Sequence, residues 1–167
     1  MVTEPEPPDP HWPRYSTGPF PSYRFVPGRT PHPRRDPRGH SYGLPEPKAT
    51  PFSADQWQTS GYYLYGIDLY NFAYWWESHE VFEGLWHAVG HHSVQGNFLQ
   101  ALIQLSAANL KYFVGNPAAG CNLIRSGIIR LRNAPPSYLG VDVLTLIEAF
   151  QAHMINPRPP APLILLS

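Results

Sequence analysis

Only one cysteine, Cys121, stands among 167 residues. An internal disulfide is therefore excluded, as is a zinc site built from several cysteines, and the scarcity fits a reducing compartment, so a cytoplasmic location is expected. No apolar run approaches the roughly 20 residues that a membrane helix needs. The opening MVTEPEPPDP lacks the basic and apolar regions of a secretory leader, so a soluble protein is expected. An excess of either charge is also missing, since 12 basic residues balance 12 acidic ones, and nothing global asks for nucleic acid or an acidic substrate. The sequence contains no Gly-rich phosphate loop, nucleophile elbow or dinucleotide fingerprint. A chain of this length can bury a core without covalent staples, and one domain is the default.

Proline, in contrast, is abundant and unevenly placed. Of 21 prolines, 14 lie at or before Pro51, and only Pro117, Pro135 and Pro136 fall between Phe52 and Asn156. Proline fixes its own backbone angle and removes a donor, so the first third cannot be a run of helices. Residues 1–51 are expected to form an extended Pro/Arg-rich arm. Its first 20 or so residues should be loose, as polar proline-rich termini usually are. The stretch YRFVPGRTPHPRRDPRGHSYG carries aromatics, histidines and glycines able to set turns, and is expected to lie ordered against the body.

Residues 52–156 read as an all-α array of about five helices. A first helix is expected near 54–69. Phe72, Trp75, His79, Phe82 and Trp86 follow each other at 3, 4, 3 and 4, one stripe of a second helix. Residues 94–114 are apolar around most of the circumference and include Ala101, Ser106, Ala107 and Ala108, so this should be the central helix. In VGNPAAG, Gly115 suits a helix end, Asn116 an N-cap and Pro117 the first helical position. Cys121, Ile124, Ile128 and Leu131 make the next stripe, which places Cys121 in the core rather than in chemistry. Pro135 and Pro136 end that helix, and Asp142 can cap a last one carrying Val143, Ile147, Phe150 and Met154. Residues 157–167 form an extended tail whose Leu163–Leu166 run should tuck into a groove.

Three stretches, FAYWWESHEVFEGLW, FLQALIQLSAANLKYFVGNPAAGCNLI and YLGVDVLTLIEAF, resemble the bacterial and archaeal domain-of-unknown-function family numbered 309. The resemblance spans roughly residues 68–150 and is most specific at His79, Glu80, Glu83 and Trp86, with Trp75 ahead and Gln100 in the Ala-rich helix. It implies a compact all-helical array and carries no activity with it. Where many members have a histidine late in the central helix, this chain reads Asn109, Leu110, Lys111.

The candidate chemistry lies in ESHEVFEGLWHAVGHH, where Glu83 occupies the place of the second histidine of an H-E-x-x-H motif. With His79 at zero on a wheel of about 100° per residue, Phe72 and Trp86 fall about 20° to either side and Glu83 about 40° away; Glu80 lies about 100° off and Glu77 about 160° off. His79 and Glu83 are thus expected to face inward and meet, with Glu77 toward solvent. A buried pair of this kind can clasp the arm or form a ligand or partner surface, with Trp86 and Gln100 beside it. Gln104 shares that face of the central helix.

The same geometry can hold a divalent metal ion, with His79 and Glu83 as ligands, His32 and His40 supplied by the arm, and Glu80 as general base of a hydrolase. His87 could extend the row, whereas His91 and His92 read as loop residues. Carboxylate-bridged di-metal bundles need Glu-x-x-His on two helices, which this chain lacks. The basic cluster of Arg24, Arg29, Arg34, Arg35 and Arg38 is opposed locally only by Asp36, while residues 52–156 carry seven acids against four bases. That asymmetry favours docking of the arm on the body through carboxylates and helix ends. The alternative is phosphate or RNA binding, with Tyr23, Phe25 and Tyr42 stacking. The aromatic run GYYLYGIDLYNFAYWW suits either a dimer face or the core of the first two helices.

Overall fold

Ser60 accepts a hydrogen bond from the Tyr63 amide at 3.3 Å and caps helix α1 (Gly61–Asn71). A separate 3-10 helix, Ala54–Thr59, precedes it, so the first helix expected near 54–69 is two pieces. The computed structural model describes residues 1–158 and 160–167; Pro159, inside the tail expected to be extended, lies outside the described residues. The remaining helices are α2 (Trp75–Val89), α3 (Val94–Phe113), α4 (Pro117–Leu131) and α5 (Val143–Ile155). Expected caps are in place. Asn116 accepts from the Ala119 amide at 3.1 Å and Asp142 from the Thr145 amide at 3.0 Å.

The chain is thus an all-helical array. Helix α3 packs against both α2 and α4, α1 lies on α2, and α5 on α4. Phe82 and Leu85 of α2, Leu102 and Leu105 of α3 and Ile124 of α4 are fully buried at its centre. Ser78 of α2 donates to Ser106 of α3 at 3.1 Å, a pairing of small residues. The aromatic run enters the core, with Tyr63, Tyr70, Tyr74 and Trp75 all buried.

Two turns differ from the sequence reading. The stripe from Phe72 to Trp86 does not lie on one helix, since α1 ends before Phe72 and α2 begins at Trp75. Between them Ala73 adopts a left-handed conformation, φ 65°. The Tyr74 amide donates to Leu69 O at 2.8 Å and the Ala73 amide to Tyr70 O at 3.2 Å, the double bond pattern of a Schellman helix end. The second turn follows α4: strands β1 (Ser137–Tyr138) and β2 (Val141–Asp142) pair antiparallel, across Leu139 and Gly140 with φ 49° and 78°. Positive φ at both central residues is the turn whose twist suits a tight hairpin.

Residues 1–53 contain turns and extended backbone but no helix. Fully buried Asp68 of α1 accepts from the Tyr15 amide at 2.8 Å, the Ser16 amide at 2.9 Å and Ser16 Oγ at 2.5 Å, with Arg14 Nε at 3.3 Å. At the other terminus Asn71 forms two bonds with the Ile164 backbone, 2.7 and 2.8 Å, and Ile164 and Leu166 are buried while Leu165 is exposed.

Candidate functional site

The buried face of α2 is formed by Trp75, Ser78, Val81, Phe82 and Leu85. On the wheel this face centres near Ser78, about 100° from His79. The inward face is turned by about 80° from the stripe that runs from Phe72 to Trp86, because Phe72 lies outside the helix and Trp86 is only half-buried. His79 therefore sits on the flank, with 27% of its side chain exposed, beside Glu80 at 46% and Glu83 at 41%. The three still meet: His79 Nδ1 is 3.3 Å from Glu80 Oε1, and Nε2 is 3.6 Å from Glu83 Oε2. Burial disfavours charge on the imidazole, but the two carboxylates outweigh it, and the His79 pKa is raised.

Glu77, expected on the solvent side, is only 6% exposed. The arm covers it. Glu77 Oε1 accepts from the Phe25 amide at 2.8 Å and lies 2.9 Å from His40 Nε2, and His40 Nδ1 lies 2.8 Å from Ser41 Oγ. Glu77 Oε2 is buried and has no partner among the described residues. Nothing in the periodicity could place this carboxylate, since the arm that buries it has none; the one available signal was the charge asymmetry between arm and body.

Arm and helices enclose a cleft of about 550 Å³, within the usual range of ligand pockets. One wall is the arm, carrying His40, Ser41 and Glu46. The other is built by Tyr62 and Tyr65 of α1 and by Trp76, Glu77 and Glu80 of α2, with Glu83 and His87 also lining the cleft. Trp76 is itself held edge-on to Phe25 at 5.0 Å. Burial, and then the charge of Glu80, raise the Tyr62 pKa.

Of the other sequence candidates, His32 and His40 do not join His79. His32 Nδ1 accepts from the Arg34 and Arg35 amides, both at 3.2 Å, and His40 uses both ring nitrogens as described. The cluster of His79, Glu80 and Glu83, with one ligand atom from each within 4.8 Å of the others, contains no arm residue. Trp86 lies under His91, rings stacked at 3.6 Å, and its Nε1 is buried without a partner. Gln100 is half-buried on α3 and outside the cleft lining; Gln104 Oε1 is buried without a partner. The arginines are dispersed over separate contacts. Arg38 grips Asp36 through two bonds of 3.1 and 2.9 Å, Arg34 donates to Leu44 O at 3.0 Å, Arg29 donates to Val2 O at 3.0 Å, and Arg35 is exposed. Arg24 Nε donates to Phe72 O, at the end of α1, at 2.8 Å. Cys121 is half-buried and free.

Fold and site together define a small helical domain with an arm-covered cleft. Residues 63–123 match the family model described as Domain of unknown function (DUF309). The matched stretch supplies most of one wall of the cleft, including Glu77, Glu80 and Glu83, while Tyr62 and the arm lie outside it. No curated protein matches the chain at a significant level. Among the described residues, no helix is long and apolar enough to cross a membrane.

Proposed function

We propose that the protein is a binding module for a small molecule, held between the arm and helices α1 and α2. The observation that carries this reading is Glu77 Oε2. A buried carboxylate oxygen without a donor costs free energy, and it belongs to a residue lining a cleft of ligand size. A ligand that completes its bonding recovers that cost. The pair expected at the centre of the site, His79 and Glu83, then stands at the cleft's edge, with Glu83 in its lining.

A fragment screen read by amide chemical shifts tests the proposal. Ligands should move resonances on both walls, within residues 34–41 and 76–84. Hits that cluster elsewhere on the protein would remove it.

A second reading, a divalent metal ion on His79, Glu80 and Glu83, draws on their convergence within 4.8 Å and on buried His79 Nδ1, which lies 3.3 Å from Glu80 Oε1 without the geometry of a hydrogen bond. With the arm histidines occupied, Glu80 would be the third ligand, which takes it out of the general-base role. Zinc and manganese titrations followed calorimetrically, with His79→Ala as control, test it; no heat of binding in the wild type would end this reading. Phosphate or RNA binding by the arm draws less support, because Arg24, Arg29, Arg34 and Arg38 are spread over separate intramolecular contacts.

A further inference from the structure

We infer that the molecule taken by the cleft is an organic cation, an amine protonated at neutral pH and carried on an apolar or aromatic body. The inference rests on the cleft reading above and adds the ligand's class. Glu77 Oε1 already has two partners, whereas Oε2, on a side chain that is 6% exposed, has none. What is missing there is a hydrogen-bond donor, and a positively charged one gains most from a desolvated carboxylate.

The surrounding charge points the same way. Glu46, Glu80 and Glu83 line the cleft together with Glu77. The one arginine in the lining is Arg34, whose guanidinium donates to Leu44 O at 3.0 Å. Four carboxylates against one guanidinium give a negative interior, apart from whatever charge His40 and His87 carry. An anionic ligand would meet repulsion there, and a neutral one would leave the field unused.

The walls also distinguish an organic cation from a bare metal ion. Tyr62, Tyr65 and Trp76 offer aromatic surface to the cleft. Tyr65 OH is turned away to Pro19 O at 2.8 Å. Rings beside carboxylates suit an ammonium group with carbon attached, through cation–π attraction and apolar contact. A hard divalent ion takes oxygen ligands and holds its waters, and would gain nothing from the apolar ring surface.

Matched probes test the class. Phenethylamine is compared with 2-phenylethanol, and 1,4-diaminobutane with 1,4-butanediol, each titrated at millimolar concentration into the full chain at low ionic strength and followed by amide chemical shifts. Each amine should bind about tenfold more tightly than its alcohol, with shifts at Tyr62, Trp76 and Glu77. Glu77→Gln should weaken amine binding about tenfold, and Glu80→Gln, at a half-exposed position that does not hold the arm, about fivefold. If Glu77→Gln loosens the fold, Glu80→Gln carries the test alone. Equal affinity for amines and alcohols, or amine binding unchanged in Glu80→Gln, overturns the cation assignment. Alcohols binding in the cleft while amines do not would overturn the class but leave the cleft reading standing. No cleft shift from any of the four probes would remove both.

Discussion

His40 and Glu77, 37 positions apart in the chain, meet at 2.9 Å with both side chains only 6% exposed. Through this contact and the Phe25 amide, one carboxylate on α2 holds the arm at residues 25 and 40 and lines the cleft. Glu77→Ala leaves a buried amide and a buried imidazole without their acceptor, and should cost about 3 kcal/mol. In a chain of this size that lowers Tm by roughly 10 °C. The arm should also become sensitive to protease. A Tm within about 1 °C of wild type would mean that the arm is held by other contacts.

Asp68 anchors the arm at a second point through the Tyr15 and Ser16 amides. Asp68→Asn turns one acceptor oxygen into a donor that faces N–H groups, and should cost about 2 kcal/mol by denaturant unfolding. No partner of Asp68 is shared with Glu77, so the two losses should add to within about 0.5 kcal/mol. Strong non-additivity would show the arm releasing as one unit.

His79 gives the fold a pH dependence of known sign. Its pKa is raised in the folded state, Glu80 and Glu83 outweighing burial. Its stabilising contribution is then complete below the unfolded value of about 6.5 and fades as pH rises through the folded value. The stability gap between wild type and His79→Gln should be larger at low pH than at high pH. In Glu80→Gln/Glu83→Gln, burial is opposed only by the Trp76 backbone, and the His79 pKa measured by NMR should fall relative to wild type.

His153 works in the opposite direction. Burial lowers its pKa, so its contribution is present above the ordinary histidine value and declines as pH falls toward the folded one. Tyr112 and Phe150 surround it with rings edge-on at 5.2 and 6.4 Å. His153→Phe should flatten the loss of wild-type stability on acidification; an unchanged acid limb of the stability curve would contradict this.

The left-handed residues Ala73 and Leu139 predict a contrast. Left-handed backbone costs an L-residue roughly 1–2 kcal/mol. Ala73→Gly removes that cost and loses one buried methyl, so the net change should stay within about 1 kcal/mol. Leu139→Asn suits the turn but removes a side chain that is 2% exposed, and should destabilise by about 2 kcal/mol. Calorimetric unfolding of both variants checks the pair; a stabilised Leu139→Asn would show that backbone preference, not burial, dominates there.

The sequence by itself determined the helical class, the central helix, the proline-poor span of the body and the caps at Asn116 and Asp142, because each is local chemistry between near neighbours. Gly115 and Ala73 make the limit visible. Both end a helix in the same double-bonded turn, the first with bonds from Gly115 to Tyr112 and from Asn116 to Lys111. Only the first could be read, since glycine announces a positive φ and alanine does not. Leu139 hid the hairpin for the same reason. In these two places tertiary burial, 0% and 2% exposure, compensates a strained backbone that no local preference would select. The same holds at the site. Periodicity could find a polar α2 carrying His79, Glu80 and Glu83, but the arm has no periodicity, and only its docking decided that Glu77 is buried, that His40 meets it, and that one carboxylate oxygen is left without a partner.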